Sequence, residues 1–191
     1  MTSENTKDKL LAAVGEILEE GASPDKLTVR AIAARAKVNP AMVNYCFGSK
    51  DELIRQAVDK IVEGAFELHD TIDTDPSDPA GQLKELLFSV SREMLKYREL
   101  TRLSIPYLLF EDKIRLPLDL LPYVDKACGE RFTEKQKRMV VFELVSSLQL
   151  IFYRLEDFRD YSGIDIENEE DLREFIGFQV DLLTGNTHEK S

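Results

Sequence analysis

Apolar residues recur along this chain at spacings of three and four, the period of amphipathic helices. Leu10, Leu11, Val14, Ile17 and Leu18 form the first such stripe. Val29, Ile32, Ala33 and Ala36 form a second, entered by Thr28, whose hydroxyl can accept from an early backbone N–H. Asn39 and Pro40 open another helix: the amide caps it, and proline suits a first turn where its missing N–H would have no partner. Within it Val43, Cys46 and Phe47 turn one way, and Ala41, Asn44 and Tyr45 turn the other. Ser49 and Glu52 have the spacing of a capping box, so a further helix begins near Lys50. It runs to about Asp70 with Leu53, Ala57, Ile61 and Phe66 on its stripe.

The run from Thr74 to Pro79 breaks that helix. The next spans about Ala80 to Arg98, with Leu83, Leu86, Leu87, Val90, Met94 and Leu95 inward. Pro106 predicts a bend or a boundary, and Leu116 to Pro122, with two prolines, a loop or a short turn of helix. Thr133 and Gln136 start a helix expected to reach about Asp157, apolar on nearly every side from Met139 to Leu155. Asn168 caps the last helix, with Glu169, Glu170 and Asp171 against its positive end. That helix presents Leu172, Phe175, Ile176, Val180 and Leu183 and stops near Gly185. The fold class is all-α.

Charge changes the picture. The chain carries a formal −11, yet from Lys26 to Lys50 there are five basic residues (Lys26, Arg30, Arg35, Lys37, Lys50) and no acidic one. A positive island on an acidic chain points to a surface that docks on phosphates. Ala41, Asn44 and Tyr45 fit the same purpose. A small residue can meet a thymine methyl, an amide can pair with an adenine edge, and a phenol can reach a phosphate or a sugar. Lys50, beside the free N–H groups of a helix start, makes a phosphate site.

These residues carry a resemblance. Leu10, Leu11, Val14, Ile17 and Leu18, then Gly21, Thr28-Val29-Arg30-x-Ile32-Ala33, Ala36-x-Val38-Asn39 and Phe47-x-Ser49-Lys50-x-x-Leu53 look like the DNA-binding domain of the TetR family of transcriptional regulators. The likeness covers residues from about 7 to 55. It implies a three-helix helix-turn-helix head, residues 1–52, joined by a long helix to a helical ligand-binding and dimerisation body, residues 53–191. It implies DNA contacts from Thr28, Val29, Arg30, Asn39, Pro40, Ala41, Asn44, Tyr45 and Lys50. Arg30 and Asn44 are the expected base readers; Thr28, Tyr45 and Lys50 are assigned to the phosphate backbone. Three positions depart from the family's commonest pattern: Lys37 stands where glycine is frequent, Asn44 where tyrosine is, and Cys46 where histidine is. Lys37 predicts a strained or altered turn, and no phosphate role is carried over to Cys46.

The resemblance further implies a homodimer through the last two long helices, a near-palindromic double-stranded DNA operator, and a body pocket for a small-molecule effector. Phe66, Phe88, Tyr97, Tyr107, Phe110, Phe142, Glu143 and Ser146 are the candidate pocket residues. At helical spacing the aromatics also read as plain core. Glu143, Gln149, Ser146 and Ser147 lie in a mostly apolar helix, and a buried carboxylate or amide needs a partner. That partner is a ligand or, in the favoured reading, Arg98, Arg102 or Arg154. The expected effector is largely apolar, with a cation favoured over an anion by the acidic body.

The expected activity is ligand-responsive repression. The alternative is a sequence-tolerant DNA-binding, chromosome-organising or protein-interaction module without an effector. No nucleophile–base constellation, phosphate loop or metal-ligand spacing supports an enzyme or a metal site, and no cofactor is expected. No apolar run approaches a membrane span and the N-terminus lacks the order of a signal peptide, so the expected location is cytoplasmic, away from membranes. Of the two cysteines, Cys46 and Cys128, Cys46 is read as a small core residue, and a disulfide is not expected in the cytoplasm.

Overall fold

The computed structural model describes residues 3–20, 26–69, 75–110, 114 and 116–185. Gly21 lies outside them, as does the side chain of Phe66. The described residues form ten α-helices and no strand. In order these are α1 Ser3–Glu19, α2 Val29–Arg35, α3 Ala41–Phe47, α4 Lys50–His69, α5 Pro79–Lys96, α6 Arg98–Phe110, α7 Leu116–Cys128, α8 Glu134–Tyr153, α9 Leu155–Ser162 and α10 Glu169–Thr184.

The boundaries follow the local chemistry. Thr28 Oγ1 accepts from Ala31 N at 3.1 Å and starts α2. Asp78 accepts from Gly81 N at 2.9 Å and starts α5, with Pro79 at the first position. Thr133 and Gln136 bond reciprocally at the start of α8. Asn168 Oδ1 accepts from Glu170 N at 2.9 Å and Asp171 N at 3.2 Å at the start of α10, which ends on Gly185 at φ 70°.

Three expectations are corrected. Of the bend or boundary read at Pro106, the boundary is absent: α6 runs through it, and one forfeited N–H bond is tolerable in a helix that packs on α8 and α4. Leu116 to Pro122, read as a loop or a short turn of helix, is the first half of the 13-residue α7. Pro117 falls in its first turn, where N–H groups have no helical partner. The helix from Thr133 stops at Tyr153 rather than Asp157. Arg154 leaves helical geometry at φ −120° and ψ 41°, and α9 sets off separately.

Two clusters of buried side chains organise the chain. Leu10, Val14, Leu27, Ile32, Val43, Phe47 and Leu53 build the first from α1 to α4. It draws on α4 as far as Val58 and takes in Tyr97 from the end of α5. Leu83, Leu86, Ile105, Val124, Leu144, Ile166, Leu172 and Ile176 anchor the second across α5 to α10. Ile61 packs against both. Ion pairs Lys60–Asp8, at 3.2 Å, and Lys84–Asp181, at 2.7 Å, tie α4 to α1 and α5 to α10.

Candidate nucleic-acid interface and body cavity

The helix-turn-helix is α2, a five-residue turn and α3. Ile32, Ala33 and Ala36 are buried and Val29 is half-buried, so Arg30 is left exposed on the outer face of α2. The turn closes through Lys37 N to Ala34 O at 3.2 Å and Val38 N to Ala33 O at 2.9 Å. To make it, Lys37 adopts φ 55°, the one left-handed non-glycine among the described residues. The altered glycine position therefore keeps the backbone that glycine favours, at the expense of side-chain strain.

Asn39 Oδ1 accepts from Ala41 N at 2.9 Å, and Pro40 is already helical at φ −52°. This fixes the start of α3 and leaves the Asn39 amide N–H₂ able to donate outward. Val43 and Phe47 are buried, with Cys46 and Met42 half-buried beside them. Ala41, Asn44 and Tyr45 are exposed on the opposite side, Tyr45 by 75%. Gly48, at φ 79°, ends α3, and Ser49 Oγ accepts from Glu52 N at 3.0 Å to begin α4 with Lys50 as its first residue. Thr28, Asn39 and Pro40 are exposed and Lys50 half-exposed.

One member of the basic island is occupied. Arg35 holds Glu20 through two bonds at 2.9 and 2.6 Å and reaches Glu16 at 3.5 Å. The guanidinium hydrogen bonds lower the Glu20 pKa below its ordinary value, and the same bonds raise that of Arg35. Arg35 thus clips α2 to α1. Nothing in the spacing of the basic residues distinguishes it from Arg30; the signal was the pair of glutamates at the end of α1.

In the body, a cavity of about 350 Å³ opens between α4, α5, α6, α7 and α8. Of the candidate pocket residues, Phe142 and Ser146 line it. Phe88 is buried with the Arg173 guanidinium 3.6 Å from its ring centre, and Tyr97 belongs to the head core. Tyr107 and Phe110 are exposed and do not line the cavity. Glu143 is exposed too, so the expected buried carboxylate does not exist. Its proposed arginine partners are engaged elsewhere: Arg98 with Glu167 at 2.5 Å, Arg154 with Asp157 at 2.9 Å, and Arg102 over the Tyr153 ring at 6.0 Å. Ser147 bonds Leu144 O at 3.1 Å and the Gln179 amide, whereas Gln149 lines the cavity. Asp59, Ser91 and Asp119, none of them singled out from sequence, also line it. Ser91 was legible as a hydroxyl on the Leu83-Leu87-Met94 stripe.

Cys128 is buried, and that burial raises its thiol pKa; Cys46 is half-buried, and both thiols are free. Among the described residues no group of acidic, histidine or cysteine side chains is placed to hold a metal, and no helix is long and apolar enough to cross a membrane.

Residues 10–57 match the family model of bacterial regulatory proteins, tetR family, a span running from the apolar stripe of α1 into α4. A comparison with curated proteins finds no match. The capped α2, the tight turn, the outward amide and phenol of α3 and the matched span agree: residues 10–57 carry a helix-turn-helix domain of the tetR regulatory-protein type at the N-terminal end of the chain.

Proposed function

We propose that the chain is a homodimeric repressor whose head, residues 1–52, reads a near-palindromic operator and whose body, residues 53–191, carries the dimer contacts and an effector cavity. The observation that carries this reading is the exposed face of α3. Ala41, Asn44 and Tyr45 present a small residue, an amide and a phenol side by side, a combination of little use to a merely solvated helix and suited to a major groove. Arg30 and Asn44 read base edges, Arg30 by forking onto a guanine. Thr28, Tyr45 and Lys50 hold phosphates, and Val29, Asn39, Pro40 and Ala41 complete the contact surface.

Dimerisation is supported by what α8 and α10 leave uncovered. Met139, Phe142, Leu150 and Tyr153 on α8 and Phe178 and Leu182 on α10 are exposed large apolar side chains. On α8 they recur at helical spacing, so they form one stripe. A two-fold pair would set two α3 helices about 34–36 Å apart, one turn of duplex. An effector in the cavity would favour a head spacing that no longer matches the DNA, and the dimer would release.

The test is selection of DNA from a random pool by the purified protein at near-physiological salt, followed by binding to the selected and scrambled duplexes. A palindromic consensus whose preference is erased by Arg30→Ala and Asn44→Ala supports the reading. Equal binding to both duplexes refutes it and leaves a phosphate-gripping module.

A further inference from the structure

We propose that the body cavity takes an amphiphilic organic cation carrying at least one hydrogen-bonding group. The inference rests on the effector reading above and specifies its ligand. Leu87, Met94, Ile105, Leu120, Phe142 and Phe152 give the cavity its apolar walls, which exclude a small hydrophilic ion. Every charged residue lining it among the described residues is acidic: Asp59, Glu63 and Asp119. An anion would face the Glu63 and Asp119 carboxylates with no cation among the described lining residues to offset them, while Asp59 is already paired with Arg55 at 2.8 Å. Phe142 and Phe152 also put two aromatic rings in the lining, and a ring face attracts positive charge.

The hydrogen-bonding requirement comes from lining side chains that make no hydrogen bond among the described residues. Ser91 is 1% exposed, lines the cavity, and its hydroxyl makes no hydrogen bond among the described residues. Ser146 and Gln149, half-buried on the facing α8, line the same space and make none either. Buried hydroxyls and amides are ordinarily paired. Thr101, also in the lining, shows the contrast by donating to Met94 O at 3.1 Å and Tyr97 O at 3.2 Å. A wholly apolar ligand would seal Ser91, Ser146 and Gln149 in unpaired. A cation with a polar group satisfies both the acidic lining and these three.

Three probes with one body separate the possibilities: 4-phenylbutylamine, 4-phenylbutanol and 4-phenylbutanoate, which are cationic, neutral and anionic at pH 7. Binding to the full chain is measured by calorimetry, and release of the selected operator is followed in parallel. The expected result is an amine affinity at least tenfold above the other two, a preference that falls to threefold or less in Glu63→Gln/Asp119→Asn, while Ser91→Ala weakens all hydroxyl- and amine-bearing probes. The variants' unliganded melting curves should match the parent. Equal affinities, tighter carboxylate binding, or no binding of any probe at millimolar concentration overturns the cation proposal. Operator release by the alcohol or carboxylate would retain the effector reading while removing the cation. Amine binding that releases no DNA would retain the cation site and remove the effector reading.

Discussion

Arg55 Nη1 donates to Asp59 Oδ2 at 2.8 Å, one turn along α4, and Asp59 lines the body cavity. The other edge of the same guanidinium holds Glu52 at 2.9 and 2.6 Å. The Glu52 backbone N–H in turn bonds Ser49 Oγ at the helix start, beside Lys50. One face of α4 thus runs as a chain of charge-assisted bonds from the cavity wall to the head. Arg55→Ala would leave two carboxylates, two turns apart on one face, without their shared partner and should lower stability by about 1–2 kcal/mol in denaturant melts. Arg55→Lys should recover only part, since a single ammonium cannot fork onto Glu52 while holding Asp59. In a chain with effector response, Arg55→Ala should also change the effector concentration that releases DNA; an unchanged midpoint would show that the bonds only stiffen the helix.

Lys37 offers a backbone test. A side chain at φ 55° costs roughly 1–2 kcal/mol, and glycine's greater freedom in the unfolded chain takes back about half of that. Lys37→Gly should therefore stabilise by up to about 1 kcal/mol, and Lys37→Val should destabilise, both measured as shifts in the urea midpoint.

The Arg35–Glu20 pair predicts an acid dependence. The pKa of Glu20 is lowered in the folded chain, so the pair's contribution is present above the ordinary glutamate pKa of about 4.3 and is lost as pH falls through the lowered value. Parent and Glu20→Gln melting temperatures should differ at pH 7 and converge below about pH 4. Curves that already coincide at pH 7 would show that the pair contributes nothing.

Engagement of Arg35 also bears on salt. With Arg35 tied to α1, the island offers phosphates at most Lys26, Lys37 and Lys50, plus Arg30 if it leaves its base. For two heads the plot of log affinity against log salt should have a slope no steeper than about −7, at roughly 0.9 per neutralised phosphate. Lys50→Ala should flatten it by about 2 units per dimer, and Arg35→Ala should leave it unchanged.

The exposed stripe on α8 and α10 carries the dimer prediction. Phe178→Asp and Leu182→Asp in one chain should halve the mass measured by sedimentation equilibrium and abolish operator binding at nanomolar protein. Helix content by circular dichroism should hold, because neither side chain is buried in the single chain.

What could be read from the sequence was mostly local. Thr28, Asn39, Ser49, Thr133 and Asn168 announced helix starts because a cap is a contact between residues two or three apart. The two faces of α3 were legible for the same reason: one period decides them. The prolines misled because their cost depends on position and on packing, and Pro117 sits where an N–H was never needed. Glu143 was misread because its apolar neighbours were assumed to be covered, whereas Met139, Phe142 and Leu150 are themselves exposed. The cavity was the least legible part. Its walls come from five helices, and no periodicity within one helix says which polar side chain will meet an empty space opposite.

Ile61 touches both cores, and Tyr97, from the far end of α5, closes the one built around α2 and α3. The reading head is therefore not a detachable module. The chain should melt in a single transition with equal calorimetric and van't Hoff enthalpies. A fragment cut within α4 would lose Tyr97 and Ile61 from the head core, so its helices should exchange amide hydrogens faster than in the full chain. In this chain the fidelity of the DNA-reading surface is a property of cooperative folding across the whole polypeptide.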